Sequence, residues 1–278
     1  MSTVRTHDLA TPRPVDLLVE IHHGRVELTA TQTDATRVRV VGVDAPATTV
    51  VQHEDRIEVH APRHRTGFLG GADADLLVQV ELPTASNAAL RTASADISVT
   101  GSIASLQVRT GSGAVQVEEL TGPAQVESGS GTVHIERALA ALRVKSGSGD
   151  VHLGRCAAAL TTSSGSGDVV IDAVEAPAVV KTGTGDLRIR QVAADVTLTT
   201  GSGDLTVATA RRGRLRSTGA SGDVRVGVPD GVAVWTDVTT ISGTVRSDLA
   251  GTGAPAEGQD HIELRATTVT GDIVLVPA

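Results

Sequence analysis

The sequence predicts an all-β protein, a single-stranded β-solenoid built from 18-residue coils with irregular coils at both ends. Two observations carry that prediction. One Gly-rich turn recurs at a fixed interval, and the residues flanking it alternate apolar and polar. The chain of 278 residues has thirty Gly, one Phe, one Trp and no Tyr. Val, Leu, Ile and Ala must therefore build the core, and Val-rich segments punctuated by Gly favour strands.

The turn reads KSGSGD, SSGSGD, KTGTGD and TTGSGD in successive windows. The residues that follow the turn are Asp96, Ala114, Thr132, Asp150, Asp168, Asp186 and Asp204, each 18 after the one before. Asp223 follows at a step of 19, then Thr244 and Asp272 at wider steps. A fixed period of this length is the mark of a stacked repeat. After the turn, Val115, Val133, Val151, Val169, Leu187, Leu205 and Val224 share one position. Two residues on stand Val117, Ile135, Leu153, Ile171, Ile189, Val207 and Val226, with mostly polar residues between. Before the turn, Leu106, Ala124, Leu142, Leu160, Ala178, Val196 and Leu215 form a third apolar column. Period-two alternation places one face of each strand inside.

An antiparallel meander also fits this pattern. It would leave one continuous apolar face to water unless a second layer covered it, whereas each coil of a solenoid closes that face on itself. The solenoid is therefore favoured. Around the regular region, 91–227, the chain divides into a flexible N-terminus, 1–14, an N-terminal cap of irregular first coils, 15–90, and C-terminal coils with a cap, 228–278, all in one continuous domain. Loops are expected at 62–75, which holds Phe68, and at 248–260; the segment after the second loop reads as the last coil.

The tandem GD turns, the segment LLVQVELPTAS (76–86) and the segment PDGVAVWTDVTT (229–240) resemble a bacterial family of β-strand-repeat "putative adhesins", a domain of unknown function. The resemblance covers roughly residues 15–277. It implies a right-handed parallel β-helix and no established activity. The turns TGSGAV and SGSGTV depart from the Asp pattern, so no Asp is required in every coil.

Composition excludes some functions. A net charge of −8 argues against nucleic acid, whose binders carry a basic stripe. One cysteine, Cys156, excludes an internal disulfide framework. The first residues lack the apolar run of a signal peptide, and no window is long enough for a membrane span, so a cytoplasmic location is the expectation.

Each chemistry-bearing group has two readings. Asp150, Asp168, Asp186 and Asp204 would stack into a column of like charge. The column could be a Ca²⁺ ladder, or each Asp could accept hydrogen bonds from turn N–H groups. The second reading needs no ion and is preferred, so no cofactor is assigned. The turn Gly residues are read as needing positive φ and close backbone approach. The Ser/Thr column before them, Thr110, Ser128, Ser146, Ser164, Thr182 and Thr200, is read as hydroxyl ladders between coils. Cys156 occupies an apolar column and is read as core. Parity turns Val232, Val234 and Val238 inward and Trp235 outward. Trp235 is read as cap packing under a terminal loop near Phe68, with a partner surface as the alternative. No catalytic residue is assigned.

The functional expectation is a non-enzymatic, adhesin-like scaffold that binds a protein of unknown identity, with self-association through open coil ends as a further possibility. The alternative is a polysaccharide-active β-helix enzyme, but its cleft needs long turn insertions and the turns here are short from 91 to about 210.

Overall fold

A computed structural model describes residues 3–62, 76–251 and 258–278. Phe68 lies outside the described residues. The chain divides into two compact units, Met1–Ala140 and Ala141–Ala278.

The first unit contains β1 (Thr3–Ala10), β2 (Asp16–Glu20), β3 (Arg25–Thr31), β4 (Ala35–Gly42), β5 (Thr49–His53), β6 (Arg56–His60), β7 (Leu77–Pro83), β8 (Asn87–Arg91), β9 (Asp96–Ile103), β10 (Ser105–Thr110), β11 (Val115–Leu120), β12 (Ala124–Ser128) and β13 (Val133–Ala138). One sheet has the order β1-β4-β7-β3-β9-β11-β13, the other β5-β6-β2-β8-β10-β12. Segment 3–10, expected to be flexible, is a strand: β1 pairs antiparallel with β4 from Thr3↔Gly42 to Ala10↔Ala35. β5 likewise pairs antiparallel with β6. The coil β2–β3 does not sit outermost. It lies between β8–β9 on one side and β6–β7 on the other, in register with Asn87 and Asp96 across a step of 71 residues. That step explains why 15–60 alternates cleanly yet keeps no 18-residue register.

The second unit contains β14 (Leu142–Ser146), β15 (Val151–Cys156), β16 (Leu160–Ser164), β17 (Val169–Val174), β18 (Ala178–Thr182), β19 (Leu187–Val192), β20 (Val196–Ser202), β21 (Leu205–Ala210), β22 (Gly213–Ser221), β23 (Val224–Val228), β24 (Ala233–Ser242), β25 (Val245–Ser247), β26 (His261–Thr270) and β27 (Ile273–Pro277). Its sheets run β15-β17-β19-β21-β23-β27-β25 and β14-β16-β18-β20-β22-β26-β24.

Pairing between regular coils is parallel and its register is the 18-residue step: Val115↔Val133 in the first unit, Val169↔Leu187 and Ala178↔Val196 in the second. Parallel neighbours rule out the meander. The predicted columns are dry, with Val133, Val151, Val169, Leu187, Val126, Val144 and Val180 all at 0% exposure.

The C-terminal coils are ordered differently from the sequence. The segment β26–β27, expected as the last coil, sits one layer in; β24–β25 lies outside it. Composition gives the reason. The inward residues of β26–β27 include Ile262, Leu264, Ala266, Ile273 and Leu275, all buried. Those of β24 are Val234, Thr236, Val238 and Thr240, which tolerate an end position. The more apolar coil takes the covered layer.

The turn glycines are needed for close approach alone. A Cβ on Gly185 would lie 2.1 Å from the Gly167 carbonyl oxygen, and one on Gly167 2.2 Å from that of Gly149. Neither Gly185 nor Gly167 has positive φ; among the described residues the column turns adopt it at Gly222 and Gly271, before Asp223 and Asp272.

Two substitutions test this packing. Gly185→Ala forces backbone against backbone and should cost about 1–3 kcal/mol or more, as overpacking does, whereas Gly251→Ala, with open space around it, should be near neutral. Denaturant midpoints compare them; equal midpoints would refute the close-approach account. Thr162 replaces valine in a column where Val144 and Val180 flank it; it is fully buried and its hydroxyl has no partner. Thr162→Val should stabilise by about 1 kcal/mol, the order of cost of one unsatisfied buried hydroxyl. A lower melting temperature in that variant would contradict it.

Candidate functional site

The aspartate column emerges where each coil leaves its turn. Its members lie on the outside, Asp150 and Asp204 exposed, Asp168 and Asp186 half-buried. Each uses Oδ1 to accept the main-chain N–H of the equivalent residue one coil on. Asp150 accepts from Asp168, Asp168 from Asp186 and Asp186 from Asp204, all at 2.9 Å. The series continues through Asp223 to Asp272 and ends on the Thr244 N–H. Thr244 belongs to the outermost coil, which has no further N–H to receive, and so needs no carboxylate. In the first unit Asp96 accepts from the Ala114 N–H at 3.0 Å.

Stacked carboxylates repel. Arg188 offsets this between two of them: Nη1 donates to Asp168 Oδ2 at 2.9 Å and Nη2 to Asp186 Oδ2 at 2.7 Å. The Asp186 N–H, and after it Arg188, hold the Asp168 carboxyl below the usual range against the opposing effect of burial. Among the described residues no group of three or more His, Cys, Asp or Glu is placed to hold a metal ion.

The hydroxyl column is buried and has two uses. The hydroxyls of Ser128 and Ser164 donate to the carbonyls of Gly131 and Gly167, closing their own turns. Only threonines bridge coils in the way expected of a ladder, Thr92 to Thr110 and Thr182 to Thr200 at 2.9 Å. Cys156 is 2% exposed, and burial, with a smaller effect of Glu175, pushes its thiol up to about 11. Thiolate chemistry is suppressed there. His134 and His152 are exposed on outward rows.

A different surface stands out at the C-terminal coil. Trp235 points outward as parity requires, but it is 51% exposed rather than packed in a cap. The Arg265 guanidinium lies 5.4 Å from its ring centroid, in cation–π range. Ile241 on the same outward row of β24 is 79% exposed, and Val269 beside it on β26 is also open to solvent. On the inner side, a cavity of ≈ 330 Å³ is lined by Val234, Val238, Val245, Leu249, Ile273 and Leu275 among others. Ile241 shares the parity of Trp235, and an apolar residue on an outward row was the signal that would have flagged it. Among the described residues no helix is long and apolar enough to cross a membrane.

The titration of the column has a sign. Folded-state values of Asp168 and Asp272 lie below their ordinary value of 3.8. Their stabilisation is present above that value and lost as pH falls through the folded ones. The melting temperature should be flat above about pH 5 and fall below about pH 4, with a shallower fall in Asp168→Asn. Thermal melts across pH 2–7 check this; a melting temperature that rises on acidification would refute it.

Comparison with known proteins follows the geometry. The family model Toastrack DUF4097 matches residues 16–275. Among solved structures, a "putative adhesin" from Parabacteroides merdae is 10% identical with a TM-score of 0.46, covering 98% of this chain and 96% of its own. A "putative adhesin" from Bacteroides fragilis is 12% identical with a TM-score of 0.40, covering 99% and 97%. A "putative lipid binding protein" from Parabacteroides distasonis is 12% identical with a TM-score of 0.44, covering 98% and 96%. No curated protein matches this chain.

Proposed function

From the premise that this chain belongs to the Toastrack DUF4097 family, we propose that it is a non-enzymatic, adhesin-like β-solenoid scaffold that works by binding, with the C-terminal coil as its interaction surface. One observation carries the reading. The Asp, Ser and Cys side chains of the repeat are taken up in coil pairing, turn closure or the core, while large apolar side chains are open to solvent on and beside the terminal coil. Asp150, Asp168, Asp186 and Asp204 accept main-chain N–H groups, Ser128 and Ser164 close turns, and Cys156 is buried. Trp235, Ile241 and Val269 face water on the outer side of the β24–β26 sheet. Exposed aromatic and aliphatic side chains along one sheet face mark interaction surfaces, and Trp with a neighbouring Arg is typical of binding hot spots. Names of structural relatives that mention adhesion agree with a binding role.

The test compares the immobilised full chain with a Trp235→Ala/Ile241→Ser double variant. The wild type should retain proteins from an extract of the native host that the variant loses. Equal capture by both would overturn the surface assignment. Turnover of acidic polysaccharides by the purified chain would overturn the non-enzymatic reading.

A further inference from the structure

The terminal coil specifies what fits it. This inference rests on the reading of that coil as the interaction surface, and names the partner. Among the described residues β24 is the outermost strand of its sheet and pairs only with β26, and β25 is outermost in the other sheet and pairs only with β27. No described strand meets the main-chain groups on their outer edges. Native sheets protect such edges with Pro, Lys, bulges or short length. β24 uses none of these. It is 10 residues long, AVWTDVTTIS, with Asp237 its only charge. The outermost strands of the first unit differ: β1 carries Arg5, His7 and Asp8, and β5 has only 5 residues.

The sequence of β24 is self-complementary. In an antiparallel pair, residues directly opposite one another share a face. A two-fold axis through Val238 therefore sets Val238 against itself and places Trp235 opposite Ile241, Asp237 opposite Thr239, Thr236 opposite Thr240 and Val234 opposite Ser242. Both outward apolar side chains of the strand meet, twice over. Both carboxylates meet hydroxyls rather than each other. An axis at Asp237 would oppose the two carboxylates, one at Thr236 would put Trp235 against Asp237, and one at Thr239 would put Asp237 against Ile241. Only the axis at Val238 matches apolar with apolar and charge with donor.

We propose that two copies of this chain pair through β24, antiparallel about a two-fold axis at Val238, forming a closed dimer. The pairing satisfies the free edge of β24 in both copies. It brings Ile241 and Val269 of one copy against Trp235 of the other. It also sets the partner's inward row beside the cavity that Val234 and Val238 line together with Val245, Leu249, Ala250 and Gly251. A two-fold contact uses the same surface on both subunits and closes, so it does not propagate into fibres.

The experiment is sedimentation equilibrium of the full chain over a wide concentration range, with two charge variants. Wild type should reach twice the 28.3 kDa chain mass. Thr239→Asp sets a second carboxylate against Asp237 of the partner subunit and should weaken the dimer at least about tenfold, since directly opposed like charges destabilise a strand pair. Thr239→Lys sets an ammonium there and should leave the dimer intact or tighten it. Ile241→Ser, at an exposed position, should weaken it without altering the melting curve of the monomer. Val238→Cys should form an intermolecular disulfide on oxidation, and Val234→Cys, which faces Ser242, should not. A strict monomer at every concentration overturns the proposal. So does a dimer on which Thr239→Asp and Thr239→Lys act alike, or a mass that keeps growing beyond two chains. If the chain is monomeric but host capture still depends on Trp235 and Ile241, self-pairing falls and the interaction surface stands. If capture is also unchanged in the variant, both fall.

Discussion

Every regular coil must bring its backbone within hydrogen-bonding distance of the next at the same eighteen-residue offset, and most of the sequence answers to that requirement. Val, Leu and Ile recur because each must lie over its own kind in a column from which water is absent. Gly recurs because the turn of one coil passes so close to the carbonyl beneath that even a methyl group has no room. Asp recurs because the first N–H after the turn otherwise points at solvent, and the carboxylate one coil back is placed to receive it. Ser before the turn folds its hydroxyl onto the carbonyl at the far side of the same turn. One geometric demand thus explains a motif that looks catalytic when seen alone.

The regular coils were legible because their period is carried by many residues at once. Alternation named the inward columns, and the offset named which residue of one coil lies over which of the next. The ends were not legible, for a specific reason. Periodicity reports order along the chain, whereas Asp223, Asp272 and Thr244 stack in that spatial order. Only the balance of Ile262, Leu264 and Ala266 against Val234, Thr236 and Val238 hinted at the exchange. The N-terminal coil was obscured in the same way by its offset of 71 residues. The positions of Asp150 to Asp204 and a main-chain N–H donor for each were legible from spacing and turn chemistry, but not that the donor belongs to the next coil, since a main-chain N–H leaves no trace in a sequence. Trp235 was correctly turned outward by parity. Its exposure was missed because a lone Trp is more often packed, and Ile241, with the same parity, was passed over.

A repeat protein of this kind confines its irregular features to its ends. The middle coils are nearly interchangeable and their outward rows mix charges of both signs, as with Arg155 and Glu175 or Arg190 and Asp172. Such pairs on an exposed surface contribute little individually. The ends are where the repeat is broken and where one coil can differ from the rest without disturbing the stack. Trp235 lies on such a coil, held by Arg265 from the neighbouring strand, so its ring is presented rather than buried.

The interleaving at each end bears on how the chain is made. As the polypeptide leaves the ribosome, residues 16–31 emerge early, yet both layers that flank them come from residues 56–103. At the other end, residues 233–247 can pair with nothing until 261–277 have been synthesised, because those last residues form the layer they rest on. The stack therefore cannot be wound up in the order of translation. At each end one layer waits for strands that follow it in the chain before its native pairing is complete.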